Sequence, residues 1–179
     1  GITKLLHDHG ALAFWDYAAA APYVGIDISS SSIDAIFLSP HKLVGGPGTP
    51  GVLVAHQKIF KNRVPVVPSG GTVDFVSRTK KSYLSNIESR EEGGTPGIVE
   101  SIRAGLVFKL QQEVGTEIIE EKENAFVRRA IEAWRNNPSI KILGNLEASR
   151  LAIVSFCISR DGDNLHYGLV VAMLNDIFG

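Results

Sequence analysis

The stretch DAIFLSPHKLVGGPGTPGVLVA, residues 34–55, decides the fold of this chain. Two apolar runs, residues 33–38 and 51–55, flank a segment rich in Gly and Pro. Short apolar runs bounded by such residues predict buried β-strands, and the turn between them predicts an antiparallel pair. Lys42 follows the first run directly, and a lysine at the mouth of a buried strand is either a surface charge or a reactive amine.

A further strand is predicted upstream, because residues 11–15 form a short apolar run closed by Asp16. About sixteen residues separate it from the run at 33–38, enough for a crossover connection, so we expect two parallel neighbours. The carboxyl ends of parallel strands share one edge of the sheet, where ligands bind in open α/β folds. Asp16 and Lys42 are expected at that edge, either as a plain ion pair or as parts of one site.

The rest of the chain predicts an α/β first domain followed by a smaller α+β domain. Residues 61–97 are rich in Gly, Pro, Ser and charge, which predicts long loops with short elements and a functional role. Beyond them, apolar residues at a spacing of four predict a helix that Gly115 interrupts before a second long helix. Short strands at 140–143 and 151–159, a loop at 160–164 and a helix at 165–177 follow. We predict domain boundaries at 1–115, 116–135 for the connecting helix, and 136–179.

Composition and charge exclude several classes of function. The net charge of −1 gives no global field toward nucleic acid or an anionic membrane, and the basic cluster of Arg78, Lys80 and Lys81 is interpreted as a solvated loop. No apolar run approaches the ~20 residues of a membrane span. The single cysteine, Cys157, lies in an alternating apolar run and is predicted to be a buried strand residue. Because it has no disulfide partner, it indicates a reducing compartment. We predict the cytoplasm and leave import into an organelle open. No pair of histidines has metal-ligand spacing.

Ser39 and His41 strengthen the case for chemistry at Lys42. These three residues place a hydroxyl, an imidazole and an amine within four consecutive positions, and Pro40 stiffens the segment. Hydroxyl and imidazole groups donate to phosphate oxygens, and an amine forms a Schiff base with a carbonyl. An acid facing such a site, as Asp16 is expected to, suits the protonated pyridine nitrogen of pyridoxal phosphate (PLP).

Three stretches together resemble a known family: FWDYAAAAPYVGIDI at 14–28, DAIFLSPHKLVGGPGTPGVLVA at 34–55, and REEGGTPGIVESIRAGLVF at 90–108. They are similar to the class V aminotransferase family, the cysteine desulfurase-like group of PLP-dependent fold type I enzymes. The resemblance implies part of the fold type I large domain, with a mostly parallel sheet, followed by a truncated α+β small domain. It also implies a fragment that lacks the N-terminal part and the end of the C-terminal domain.

The resemblance implies a role for each matching residue. Lys42 is the Schiff-base lysine that moves the substrate α-proton, and Asp16 pairs with the pyridinium nitrogen. Ser39 and His41 hold the cofactor phosphate. Gly94 and Thr95 reach the phosphate in the site of a neighbouring subunit, which implies a homodimer acting on an amino-acid substrate.

One departure from the family pattern leaves the reaction open. The family commonly carries a Gln three residues after the Asp, whereas this chain has Ala19. Desulfurase, aminotransferase and lyase chemistry all stay open, and so does a non-catalytic fragment or scaffold and dimerisation module of the same fold. A nucleotide-binding α/β domain is disfavoured because neither Gly-x-Gly-x-x-Gly nor a P-loop is present. We expect the 179 residues alone to be inactive and to bind PLP weakly.

Overall fold

A computed structural model describes all 179 residues, which form two compact units, Gly1–Thr116 and Glu117–Gly179. The first unit begins with helix α1 (Ile2–Asp8) and is built on strands β1 (Phe14–Asp16), β2 (Ala35–Leu38) and β3 (Val52–Ala55). A 3-10 helix, Pro40–Lys42, follows β2, and a second one, Gln57–Ile59, follows β3. The hairpin of β4 (Val73–Val76) and β5 (Lys81–Tyr83), then helices α2 (Ile87–Glu91) and α3 (Ile98–Val114), complete the unit.

The sheet has the order β1-β2-β3 and the predicted strand directions. Strand β1 runs parallel to β2, with Asp16 opposite Phe37, and β2 runs antiparallel to β3, with Leu38 opposite Val52. Both predictions of pairing are therefore confirmed. The segment between β1 and β2 consists of turns, as expected for a short crossover.

The prediction of a buried strand at residues 11–15 is wrong in its bounds and in its burial. Strand β1 begins only at Phe14 and includes Asp16, and Phe14 is 49% exposed. An apolar run records which residues prefer to leave water, but it does not show whether this chain supplies a second layer to cover them. The apolar residues that are buried near β1 include Ala13, Ile33 and Ile36.

Helix α3 confirms the helix predicted from apolar residues spaced by four and its end at Gly115. The apolar residues of that spacing do not face the core of this unit. Ile98, Ile102 and Leu106 are each 61% exposed, whereas Ala104 and Val107 on another face are buried. The inner face of α3 is tied to the preceding loops by two side chains: Arg103 donates to the Pro47 carbonyl at 2.9 Å and Gln111 donates to the Ala21 carbonyl at 2.6 Å.

The second unit holds helix α4 (Thr116–Trp134, of which Thr116 belongs to the first unit), strands β6 (Ile140–Ile142), β7 (Phe156–Arg160) and β8 (Asp163–Asn164), and helix α5 (Tyr167–Phe178). The strands are antiparallel in the order β6-β7-β8. A two-residue turn joins β7 to β8, and both of its residues, Asp161 and Gly162, have positive φ, the pattern of a tight hairpin. The Trp134 ring packs against Phe156 at 5.2 Å.

Two predictions about the second unit need adjustment. The strand expected at 151–159 begins only at Phe156, because residues 151–155 are irregular. Cys157 does lie on that strand, but it is half-buried rather than buried. None of the helices in either unit is both long and apolar enough to cross a membrane.

Candidate functional site

The carboxyl edge of the sheet collects four of the predicted site residues. Asp16 is the last residue of β1, and Ser39 follows the last residue of β2, its parallel neighbour. From Ser39 the chain turns at once into the 3-10 helix Pro40–Lys42, in which the Lys42 amide donates to the Ser39 carbonyl at 3.0 Å. Proline at the first helical position costs no hydrogen bond there, so the sequence itself favours the turn that carries His41 and Lys42.

The polar side chains at this edge make only one hydrogen bond within the chain. Asp16 accepts a hydrogen bond from the Ala18 amide at 2.7 Å through Oδ1, and the side chains of Ser39, His41 and Lys42 have no hydrogen-bond partner within the chain. Asp16, His41 and Lys42 are all exposed. No ion pair joins Asp16 to Lys42, so the interpretation as a plain Asp–Lys pair is not what the structure contains.

A glycine-rich loop packs directly against the 3-10 helix. The Gly46 amide donates to the Leu43 carbonyl at 2.9 Å, and the buried Thr49 hydroxyl donates back to the Gly46 carbonyl at 2.7 Å. A Cβ on Gly46 would overlap the backbone carbonyl of Pro40. Only glycine fits at position 46, because its backbone packs directly against the turn that carries Lys42.

Gly94 and Thr95 lie in an exposed loop that precedes α3. The Gly94 amide donates to the Gly70 carbonyl at 2.8 Å, so the Gly-Gly pair at 70–71 and the Gly-Thr pair at 94–95 are neighbours. Thr95 makes no side-chain hydrogen bond. No hydrogen bond connects these two residues to the edge that carries Lys42.

Sequence reasoning missed a buried acid at the opposite, amino edge of the same sheet. Asp34 immediately precedes β2 and is 1% exposed. It accepts hydrogen bonds from the Ala13 amide at 3.0 Å and from His7 Nε2 at 2.7 Å, and Lys58 Nζ lies 3.2 Å from its other oxygen. The Ala13 amide, then His7 and Lys58, hold the pKa of Asp34 well below its usual 3.8.

A signal for this cluster was present in the sequence. Asp34 interrupts the apolar run at residues 33–38, and a charge inside a buried run requires partners. The partners themselves, His7 on α1 and Lys58 on the 3-10 helix after β3, are distant in sequence, so only the fold identifies them.

An apolar hollow on one face of the sheet contains none of the predicted site residues. It is lined by sheet residues Ile36, Leu38 and Val54 and by Phe108 of α3. Of its polar lining residues, Gln111 and Thr116, the first already donates to the Ala21 carbonyl. No titratable side chain lines this hollow.

Comparisons with known proteins agree on one family. The family model described as aminotransferase class-V matches residues 1–176. The cysteine desulfurase of Klebsiella pneumoniae is 28% identical over 178 residues, which are 99% of this chain and 42% of that protein. A probable cysteine desulfurase of Halalkalibacterium halodurans is 28% identical over 157 residues, 88% of this chain and 38% of that protein.

Solved structures show the same relationship. The apo structure of a cysteine desulfurase from Thermococcus onnurineus NA1 matches with a TM-score of 0.83 at 27% identity, and covers 98% of this chain and 42% of that one. This similarity confirms the predicted α/β fold class. The chain spans about two fifths of the length of the relatives it matches.

Proposed function

Since this chain belongs to the aminotransferase class-V family, we propose that it supplies the reactive lysine of a PLP-dependent enzyme that acts on an amino acid. One observation carries the proposal: Lys42 lies at the carboxyl edge of the sheet, and its amine has no ion-pair or hydrogen-bond partner. It follows β2, whose parallel neighbour β1 ends in Asp16. Lys58, at the other edge of the same sheet, is paired with Asp34 instead.

The residues present fit the proposed cofactor. PLP requires an amine, an acid for its ring nitrogen and donors for its phosphate. Lys42 and Asp16 supply the first two, and Ser39 and His41 supply a hydroxyl and an imidazole on the same turn, all with polar atoms that the fold leaves available. The close approach of Gly46 to the backbone of that turn keeps bulk away from it.

When bound, PLP supplies an aldehyde that condenses with amines and a ring that withdraws electrons from the substrate α-carbon. Lys42 would hold the cofactor and would also hold and move the substrate α-proton. Asp16, whose Oδ1 accepts from the Ala18 amide, would pair with the ring nitrogen through its other oxygen. Ser39 and His41 donate to the phosphate.

For the reaction, we favour removal of sulfur from cysteine, because the relatives that match over most of this chain are named cysteine desulfurases. Ala19 offers no hydrogen-bonding side chain in the turn after Asp16, so the ring oxygen loses one of the contacts that the family pattern supplies. Aminotransfer and lyase chemistry on the same Lys42 are the outcomes that a product assay distinguishes.

The organisation of the protein is part of the proposal. Residues 1–115 would form the second half of the cofactor-binding large domain, 116–135 the connecting helix and 136–179 the start of the small domain; the division of the chain between Thr116 and Glu117 supports this. Gly94 and Thr95 would reach the phosphate in a partner subunit of a homodimer.

A single cysteine without a disulfide partner supports a reducing compartment such as the cytoplasm.

The test is a titration of the full-length protein with PLP, followed by absorbance near the edge of the visible range. We expect a band that borohydride fixes, that added cysteine perturbs, and that Lys42→Ala abolishes while Lys58→Ala keeps it. Absence of the band from the wild-type protein would refute the enzyme and favour the scaffold alternative.

A further inference from the structure

Two loops in the first unit meet through their backbones. The turn at residues 69–72 precedes β4, and the loop at 93–95 precedes α3. Their one backbone hydrogen bond runs from the Gly94 amide to the Gly70 carbonyl, at 2.8 Å. Whatever fixes the carbonyl of Gly70 therefore fixes Gly94, and with it the exposed Thr95.

Thr72 closes the first of these loops. Its side chain is fully buried, which is unusual for a threonine in a loop. Its hydroxyl donates to the Ser69 carbonyl at 2.7 Å and accepts from the Ser69 amide at 3.3 Å. The two bonds hold the turn at both of its ends and leave Gly70 at its tip.

The turn is also anchored to the segment that follows β5. The Leu84 amide donates to the Thr72 carbonyl at 3.0 Å, and the Leu84 carbonyl accepts from Arg90 Nη1 at 3.0 Å. Arg90 is buried and also donates to the Ser85 carbonyl at 3.2 Å. Hydrogen bonds thus connect the buried guanidinium to Leu84, Leu84 to Thr72 and Thr72 to Ser69, and the backbone continues from Ser69 to Gly70, which binds Gly94.

The side chains of Ser69 and Thr72 also occupy the space beside Gly93. A Cβ on Gly93 would overlap Ser69 Oγ and lie 3.2 Å from Thr72 Cγ2. The Ser69 hydroxyl is buried without a partner, so it acts as a filler of that space and not as a hydrogen-bonding group. The two loops therefore fit together by shape as well as by the Gly94–Gly70 bond.

From this geometry we propose that Thr72 is a positioning residue for cofactor-phosphate binding: by closing the 69–72 turn it holds Gly94 and Thr95 in the place from which they contact the phosphate. The inference rests on the proposed function, because it assigns to these two residues the phosphate contact proposed above. Thr72 itself touches no cofactor. Its effect is transmitted through the Gly70 carbonyl.

The experiment compares Thr72→Val with Thr72→Ser, which keeps the hydroxyl. Thr72→Val keeps the shape of the side chain and the main-chain bond from the Thr72 amide to the Ser69 carbonyl, and it removes both hydrogen bonds of the hydroxyl. Affinities are measured in the full-length protein for PLP and for pyridoxal, which lacks the phosphate. We expect Thr72→Val to weaken PLP about tenfold while pyridoxal binds as before, as loss of one hydrogen bond to a charged group predicts. Thr72→Ser should restore the preference for PLP. Ser101→Ala, which removes a hydroxyl-to-carbonyl bond of 2.8 Å on α3, should leave it unchanged.

Equal weakening of both ligands in Thr72→Val would show a merely structural role, and unchanged affinities would show no role; either result overturns the proposal. Hydrogen exchange of the Gly94 amide in the cofactor-free protein gives an independent readout, and we expect it to be faster in Thr72→Val. If the wild-type protein binds no PLP, the proposed function fails; unchanged exchange at Gly94 would in addition overturn the positioning of this loop by Thr72.

A second pair of variants covers the case in which Thr72→Val does not fold. Gly93→Ala places a methyl group against Ser69 Oγ and should lower the preference for PLP over pyridoxal. Gly93→Ala combined with Ser69→Gly removes the overlap and should restore it. Failure of the double variant to recover the preference would contradict the fit between the two loops.

Discussion

Both edges of the first sheet carry an Asp, a His and a Lys. At one edge the three side chains are paired with one another, and at the other they are not. At the amino edge, Asp34 is buried and bound by His7 and Lys58. At the carboxyl edge, Asp16 and Lys42 are exposed, and Lys42 is bound to nothing in the chain.

The difference teaches which charges maintain the fold and which are available for chemistry. A buried carboxylate must have partners, and once it has them it joins the elements that supply them, here α1, β2 and the 3-10 helix after β3. A charge left without partners at the end of a strand contributes little to stability, so its placement is better explained by a ligand. Each pair of matched substitutions below separates the two uses.

Lys42→Ala is expected to have the largest effect on turnover, and Lys58→Ala is its control. Because we propose that the Lys42 amine moves the α-proton, its loss should lower the turnover number at least ~10³-fold, within the usual range for a general base. Lys58 is 68% exposed beside Asp34, so its loss should cost less than ~1 kcal/mol of stability and leave turnover intact. Steady-state kinetics of both variants check this. Comparable losses in the two would remove the functional distinction between the edges.

Asp16→Asn is expected to come second, with Asp34→Asn as the matched change at the other edge. Neutralising the acid that we propose pairs with the ring nitrogen should remove a charge-assisted interaction of roughly 1.5–3 kcal/mol, which corresponds to about 10–100-fold in rate. Asp34→Asn should leave the rate near that of the wild type and lower the melting temperature. Kinetics and thermal unfolding of both variants are the measurement, and an exchange of the two phenotypes would contradict the assignment.

Gly46→Ala should have an intermediate effect that links stability to the site. The added methyl group overlaps the Pro40 carbonyl, and overpacking of this kind costs about 1–3 kcal/mol. Because the strain falls on the turn that carries Lys42, the affinity for PLP should fall together with the melting temperature. Gly105→Ala is the control, since its new methyl group meets nothing within 4 Å on α3. A Gly46→Ala variant with unchanged melting temperature and PLP affinity would refute the close approach.

How far the sequence led depends on whether a feature is local. The sequence predicted the strands at the site and the pairing of β2 with β3 from short apolar runs. It predicted that Asp16 and the Ser39 turn share one edge from the length of the connection between the two parallel strands. It did not predict the role of Asp34, because its ligands come from residues 7, 13 and 58, and no local pattern relates them. The burial of β1 was also beyond reach, since exposure of Phe14 depends on what covers the sheet.

The smallest expected effect concerns acid stability at the amino edge. The folded-state pKa of Asp34 lies below its ordinary 3.8, so ionised Asp34 stabilises the fold above that pH, and this contribution is lost as the pH falls below it. Melting temperatures followed from about pH 5 to about pH 2 should fall less steeply in Asp34→Asn than in the wild type.

Asp27 is the control for this titration. The Ser29 hydroxyl, followed by Ser30, lowers its pKa to about 2, but it is exposed in a turn and joins no distant elements. We expect Asp27→Asn to reduce the acid dependence less than Asp34→Asn. A larger reduction in Asp27→Asn would show that the buried cluster is not the main acid-sensitive support of this edge.

The central claim, that Lys42 and not another lysine binds the cofactor, is tested most directly by locating the bond. The full-length protein is mixed with PLP, reduced with borohydride, digested and analysed by mass spectrometry. We predict one phosphopyridoxyl group per chain, on the peptide that contains Lys42. A label on Lys58, or one spread over exposed lysines such as Lys80 and Lys81, would contradict the account.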